Sequence, residues 1–200
     1  MLAVVVHGFN DSDKGKGSID LVIPYLKAAG FEILNFDYGD WGLFDVRFNN
    51  DAPAKELARI LNGRECVTVA HSNGNLICDN AAAKFGANIL AHAAIAPAMD
   101  KDRIFARSMQ HIDVYYNKKD WAVFWASLLW FNHPWGKMGR VGFIGTDRRV
   151  TNINTIGYTP FIDAPGHSNI LPHLAGGLVC AGWGQYMAGR LANAVGLLTA

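Results

Sequence analysis

Two hundred residues, half of them apolar, are enough for one filled core and too few for two independent domains. With 18 basic against 17 acidic residues and no basic block longer than "DRR" at 147–149, no nucleic-acid partner is expected. No run of about twenty apolar residues occurs, so no membrane span is expected, and the nearest stretch, 174–198, is interrupted by Gln185, Arg190 and Asn193.

The chain opens on "LAVVV" (2–6), a short unbroken apolar run that reads as a strand buried on both faces. It is too short for the core of a secretion signal and has no basic start, so a cytoplasmic protein is expected. "SIDLVIPYLKAAG" (18–30) has helical spacing, with Ser18 placed to cap it and Gly30 to end it. "FEILNFD" (31–37) is a second strand, and 38–51 reads as a loop. A helix is expected near 53–62, with Pro53 in its first turn, where a missing N–H costs nothing. "CVTVA" (66–70) is a third strand, followed by a helix to about Phe85 that Gly86 stops. "NILAHAAIA" (88–96) is a fourth. A short helix near 101–109 leads to "IDVYY" (112–116), and "RVTNINTIGY" (149–158) is a weaker sixth strand. A helix over roughly 176–197 closes the chain.

Strands alternating with helices predict an α/β fold: a mostly parallel, doubly wound sheet of about six strands with helices on both faces. One domain covers 1–200, with a Trp-rich insert at about 121–140. Ligands of such sheets bind at the carboxyl ends of the strands. The three cysteines, Cys66, Cys78 and Cys180, lack C-x-x-C spacing and read as buried thiols in a reducing compartment. No H-E-x-x-H or Cys/His ligand spacing is present, so neither metal nor cofactor is expected.

The informative stretch is "VTVAHSNGNLI" (67–77), where Ser72 stands between a buried strand and a helix. Such a turn, when very tight, strains its central residue and pushes the side chain into the open. Strand and helix then pass so close that the positions two before and two after must be small. Ala70 and Gly74 meet that need, although alanine stands where glycine is usual. The alternative is that Ser72 only caps the helix.

"HGF" (7–9) after the first strand, "AHSNG" (70–74) after the third, "NKKD" (117–120) after the fifth and "PGHS" (165–168) together resemble an α/β-hydrolase. The likeness spans nearly the whole chain, as a minimal core lacking the family's first two strands. It implies a carboxylesterase-like or lipase-like serine hydrolase with Ser72 as nucleophile, Asp120 as acid and His167 as base. The backbone N–H groups of Phe9 and Asn73 would form the oxyanion hole. The implied partner is a small-molecule or lipid-like ester; the sequence does not give the oligomeric state.

Other carboxylates compete with Asp120: Asp113 begins its strand, at the opposite end, Asp100 follows the fourth strand, and Asp147 and Asp163 lie in later loops. His133 and His173 compete with His167, which keeps the chain order Ser, Asp, His that this fold requires. His7, His71, His92 and His111 are read as structural. The insert "WAVFWASLLWFNHPWG" (121–136) is apolar nearly all round, and serves as a lid, as an acyl pocket or as packed core. Trp121 and Trp125 would line one wall of a pocket, Trp41 and Phe44 the other. A phosphate-binding loop fails at two defining positions: Asn10 replaces the first Gly, and Gly17 the Ser or Thr after Lys16. A hydrolase-fold protein that binds without catalysis, or an amidase, thioesterase or acyltransferase with the same triad, stands as the alternative.

Overall fold

The computed structural model describes residues 1–8, 18–39, 49–118, 120, 136–155 and 181–197. In chain order these form β1 (Leu2–Val6), a 3-10 turn (Ile19–Val22) running into α1 (Ile23–Ala28), β2 (Glu32–Phe36) and α2 (Asp51–Leu61). Then follow β3 (Cys66–His71), α3 (Gly74–Phe85), β4 (Ile89–Ile95), β5 (His111–Tyr116), α4 (Met138–Val141), β6 (Val150–Asn154) and α5 (Ala181–Ala194). The strands pair in the order β2-β1-β3-β4-β5-β6, and every pairing is parallel.

The unbroken apolar runs follow from this sheet. Side chains alternate faces along a strand, so a strand covered on both sides needs apolar residues at every position. Ala3 and Val5 of β1, with Val67 and Val69 of β3, pack under Ile19, Val22, Leu26 and Leu191, from the 3-10 turn, α1 and α5. Leu2, Val4 and Val6, with Cys66 and Ala70, pack under Leu57, Leu61, Leu76 and Ile77 of α2 and α3. The two edge strands, β2 and β6, carry exposed Glu32, Asn35, Thr151 and Asn152 instead.

Two expectations are corrected. The helix expected over 18–30 starts as a 3-10 turn, and Ser18 makes no side-chain cap bond to it. Pro24, in the first turn of α1, has no N–H to give the carbonyl four residues back. Ile23 bonds Asp20 O instead, at the tighter spacing. The second correction is larger, since no helix forms at 101–109. Side chains close the backbone there. Arg149 donates to the carbonyls of Phe105, Ala106 and Met109 at 3.2, 2.8 and 2.7 Å. Asp79 of α3 accepts the Ala106 N–H at 3.0 Å and pairs with Arg103. Where this loop turns inward, at Phe105, Ala106 and Met109, its backbone polar groups must be satisfied, and borrowed side chains do so.

Gly86, at φ +72, ends α3 as expected. Residues 156–158 and 176–180, assigned above to the last strand and helix, lie outside the described residues, as does most of the insert. Cys66 and Cys78 are buried free thiols. Burial pushes the Cys66 thiol up to about 12, and the Cys78 thiol higher still. Cys180 lies outside the described residues. Among the described residues no helix is long and apolar enough to cross a membrane.

Candidate active site

β1 lies between β2 and β3, so the chain leaves β1 toward one side and returns on the other. That reversal opens a crevice at the carboxyl ends of β1 and β3. His7 and Gly8 follow β1 there, and Ser72 and Asn73 follow β3.

Ser72 has φ +52, in the left-handed region that a residue with a Cβ avoids. Its N–H donates to Ile95 O at 3.0 Å, and its carbonyl accepts the N–H groups of Asn75 and Ala98, each at 3.3 Å. The cap position of α3 belongs to Asn73, with φ −63, so Ser72 stands one residue outside the helix and is not its cap. A methyl group at Gly74 would fall 2.5 Å from His7 O and 2.9 Å from Val6 O. The spacing suggested a clash with the serine's own strand; the carbonyls at the end of β1 are what require glycine. A methyl at Gly8 would sit 3.1 Å from Ser72 Cβ, so the end of β1 lies hard against the serine.

His7 shapes this edge. Its ring stacks on Tyr38, centroids 4.3 Å apart and planes within 4°. Its Nδ1 donates to Gly8 O at 2.8 Å, and its Nε2 lies 3.4 Å from Asp37 Oδ1. Asn73 donates from Nδ2 to Asn50 Oδ1 at 3.0 Å, just ahead of α2. The first N–H groups of a helix point out past its N-terminus, and Asn73 occupies that end of α3.

Asp120 follows β5 at the same edge of the sheet and is fully buried. Its N–H donates to Asn117 O at 2.9 Å. β5 is two strands from β3, roughly 10 Å at the usual spacing, a span that one imidazole and its hydrogen bonds can bridge.

No protein-family model and no curated protein matches the sequence. Solved structures do match in fold. An esterase of Pyrococcus furiosus is similar at a TM-score of 0.60 and 13% identity, over 96% of this chain and 81% of that one. Est1E of Butyrivibrio proteoclasticus, with ferulic acid bound, is similar at 0.59 and 14% identity, over 96% and 89%. A serine hydrolase without a lid from Xanthomonas campestris is similar at 0.52 and 14% identity, over 97% and 80%.

The chain has the α/β-hydrolase fold.

In this α/β-hydrolase fold the rivals of Asp120 are accounted for by position. Asp113, the third residue of β5, is buried in a two-pronged ion pair with Arg190, both contacts at 2.6 Å. His111 Nε2 adds a third contact at 3.1 Å. Burial works to raise the Asp113 carboxyl, but hydrogen bonds from His111 and Arg190 hold it below the usual carboxylate range. Asp147 pairs with Arg149 ahead of β6, at the opposite edge. Asp100 is exposed after β4, and Asp163 lies outside the described residues.

Among the histidines, His92 is buried within β4 with Nδ1 2.7 Å from Thr68 Oγ1, and His111 belongs to the Asp113 cluster. His71 is buried at the end of β3, its ring against Gly8. His133, His167 and His173 lie outside the described residues, as do Phe9, Trp41, Phe44, Trp121 and Trp125. The described residues therefore bring Ser72, Asn73 and Asp120 to one edge. One residue that the motifs did not flag belongs with them. Asn75, fully buried, donates from Nδ2 to Ser72 O at 2.9 Å and to Ile95 O at 3.2 Å. Its only signal in the sequence is a polar side chain directly ahead of the apolar run 76–78.

Proposed function

We propose that the protein is a serine hydrolase that cleaves carboxylic esters through an acyl-enzyme on Ser72. The observation that carries this reading is the backbone of Ser72 itself: φ +52 at the head of α3, at the sheet's switch point. Such a conformation costs a residue with a Cβ about 1–3 kcal/mol and persists where the surrounding structure enforces it, often at reactive sites. In a strand-to-helix turn it presents the hydroxyl outward.

The chemistry follows from the residues. Ser72 Oγ attacks the ester carbonyl carbon while His167 takes its proton, and buried Asp120 orients the imidazole and steadies the imidazolium. The N–H groups of Asn73 and Phe9 receive the negative charge that gathers on the carbonyl oxygen. The tetrahedral adduct collapses, and the leaving alcohol takes the proton from His167. Water, giving a proton to His167, then attacks the acyl-enzyme; the acid leaves and Ser72 recovers its proton. No cofactor is needed. The acyl group is assigned as moderately apolar from the sequence, which offers Trp41, Phe44, Trp121 and Trp125 for its pocket. The esterases and the serine hydrolase among similar structures support hydrolysis over binding alone.

The test is hydrolysis of p-nitrophenyl esters, from acetate to long acyl chains, by the protein and by Ser72→Ala. The reading expects turnover to fall by several powers of ten in the variant. Equal rates from both folded proteins overturn it.

A further inference from the structure

Ser72 is held by a closed ring of hydrogen bonds, and one side chain completes it. The Ser72 N–H reaches Ile95 O, and the Ser72 carbonyl lies on the other side of the same residue. The amide of Asn75 bonds both oxygens, Ile95 O at 3.2 Å and Ser72 O at 2.9 Å. Ser72 N–H, Ile95 O, Asn75 Nδ2 and Ser72 O thus form a loop around the two dihedral angles of residue 72. A left-handed serine relaxes toward ordinary backbone unless something holds both of its peptide groups. This ring holds both.

The geometry points to Asn75 as a positioning residue: its amide locks the strained backbone of Ser72 and so aims the hydroxyl. This rests on Ser72 being the nucleophile. Asn75 touches backbone alone in this ring, so it acts through Ser72.

The bonding of Asn75 is one-sided. Nδ2 makes two bonds to carbonyls, while Oδ1, equally buried, has no hydrogen-bond partner among the described residues. Burying an unsatisfied oxygen is unfavourable, so a side chain chosen for stability alone would not be an amide here. The two carbonyls would keep backbone donors without it: Ser72 N–H on Ile95 O, and the N–H groups of Asn75 and Ala98 on Ser72 O. The fold can therefore lose the amide and survive, but Ser72 loses the one side chain that ties its two peptide groups together.

Three variants test this, each with the p-nitrophenyl ester assay, thermal unfolding and fluorophosphonate labelling. Asn75→Leu keeps the size and drops all polar groups, Asn75→Asp keeps the shape and drops the donors, and Asn75→Ala cannot overpack. In the folded variants kcat and the labelling rate are expected to fall about 10- to 100-fold, the usual effect of misplacing a reacting atom by about an ångström. KM should change little, and Asn75→Leu should melt near the wild-type temperature. A merely structural residue would instead lower Tm and leave kcat alone in the protein that remains folded. That result, from any variant that folds, overturns the proposal.

Two controls separate this inference from the reading beneath it. Ser72→Ala with the wild-type rate would remove the nucleophile. A crystal structure of Asn75→Leu would still show whether residue 72 has left the left-handed region. Residue 72 unmoved there, with its carbonyl in place, overturns the positioning role whatever the activity.

Discussion

Asn117 donates its backbone N–H to Gly139 O at 2.9 Å, and Gly139 sends its own N–H to Pro97 O at 2.8 Å. These two bonds join the loop that carries the candidate acid to the loop after β4, which in turn bonds the candidate serine. On one side Ala98, next to Pro97, donates to Ser72 O; on the other Asp120 donates to Asn117 O. The residue at the centre comes from α4, at the end of the Trp-rich insert. A methyl group at Gly139 would lie 2.8 Å from Ala96 C and 3.1 Å from Pro97 O, both backbone.

Gly139→Ala is therefore expected to push α4 off the ends of β4 and β5 and to shift Asp120 relative to Ser72. Overpacking of this kind costs about 1–3 kcal/mol, and the displacement should lower kcat about 10- to 100-fold with KM nearly unchanged. Ester kinetics and Tm measured together check it. A folded variant with wild-type kcat would show that α4 does not set the spacing of the site.

Arg149 should govern the loop at 103–109. Its guanidinium is bound to three carbonyls of that loop and to Asp147, while Ile104 beside them is 89% exposed. Arg149→Met leaves those carbonyls without their donor, an expected loss of about 2–3 kcal/mol. The loop itself contains Arg103 and Arg107, so trypsin reports on it directly. Cleavage after those residues should be slow in the wild type and fast in the variant; identical digestion patterns would refute the clamp.

Why this loop was not legible in the sequence is now plain. Its carbonyls are closed by a side chain 40 to 44 residues further on, and its Ala106 N–H by one 27 residues back. Bonds of that range leave no periodicity near the loop, so a helix was the natural expectation. β1 and β3 were legible for the opposite reason: burial on both faces writes an apolar residue at every position of each strand. Ser72 was legible because a polar residue between such a strand and a helix breaks both patterns at once. The sequence also placed Asn73 and Asp120 at the edge where they lie. It did not reveal Asn75 or Gly139, because their partners at Ile95, Pro97 and Asn117 are neighbours only after the sheet has formed.

The ion pair of Asp113 and Arg190 ties α5 to β5. Asp113 is fully buried, so removing its partner strands a charge in the core, an effect typically worth about 3–5 kcal/mol. Arg190→Met should lower Tm by roughly ten degrees in a chain of this size. The double variant Asp113→Leu/Arg190→Met should recover much of that loss, because an apolar pair fills the site without a charge to desolvate. Thermal unfolding of the three proteins decides it. A single variant as stable as the wild type would mean that His111, 3.1 Å from Asp113, suffices alone.

His92 should make the protein sensitive to acid. It is fully buried, and burial lowers its pKa from 6.5 to about 4. The unfolded chain then takes up a proton below pH 6.5 that the folded chain refuses until about pH 4. Between those values the unfolded state binds more protons, so stability rises with pH and falls on acidification. From pH 7 to about pH 4.5 the loss from this one residue is roughly 2–3 kcal/mol. His92→Asn retains a polar atom near Thr68 Oγ1 and removes the titration. Its absolute stability should be lower, because the smaller side chain leaves a void, so the slope is the quantity to compare. Urea unfolding of both proteins across this range should give a clearly shallower pH dependence for the variant. Parallel slopes would mean that the buried carboxylates, rather than His92, set the acid limit of the fold.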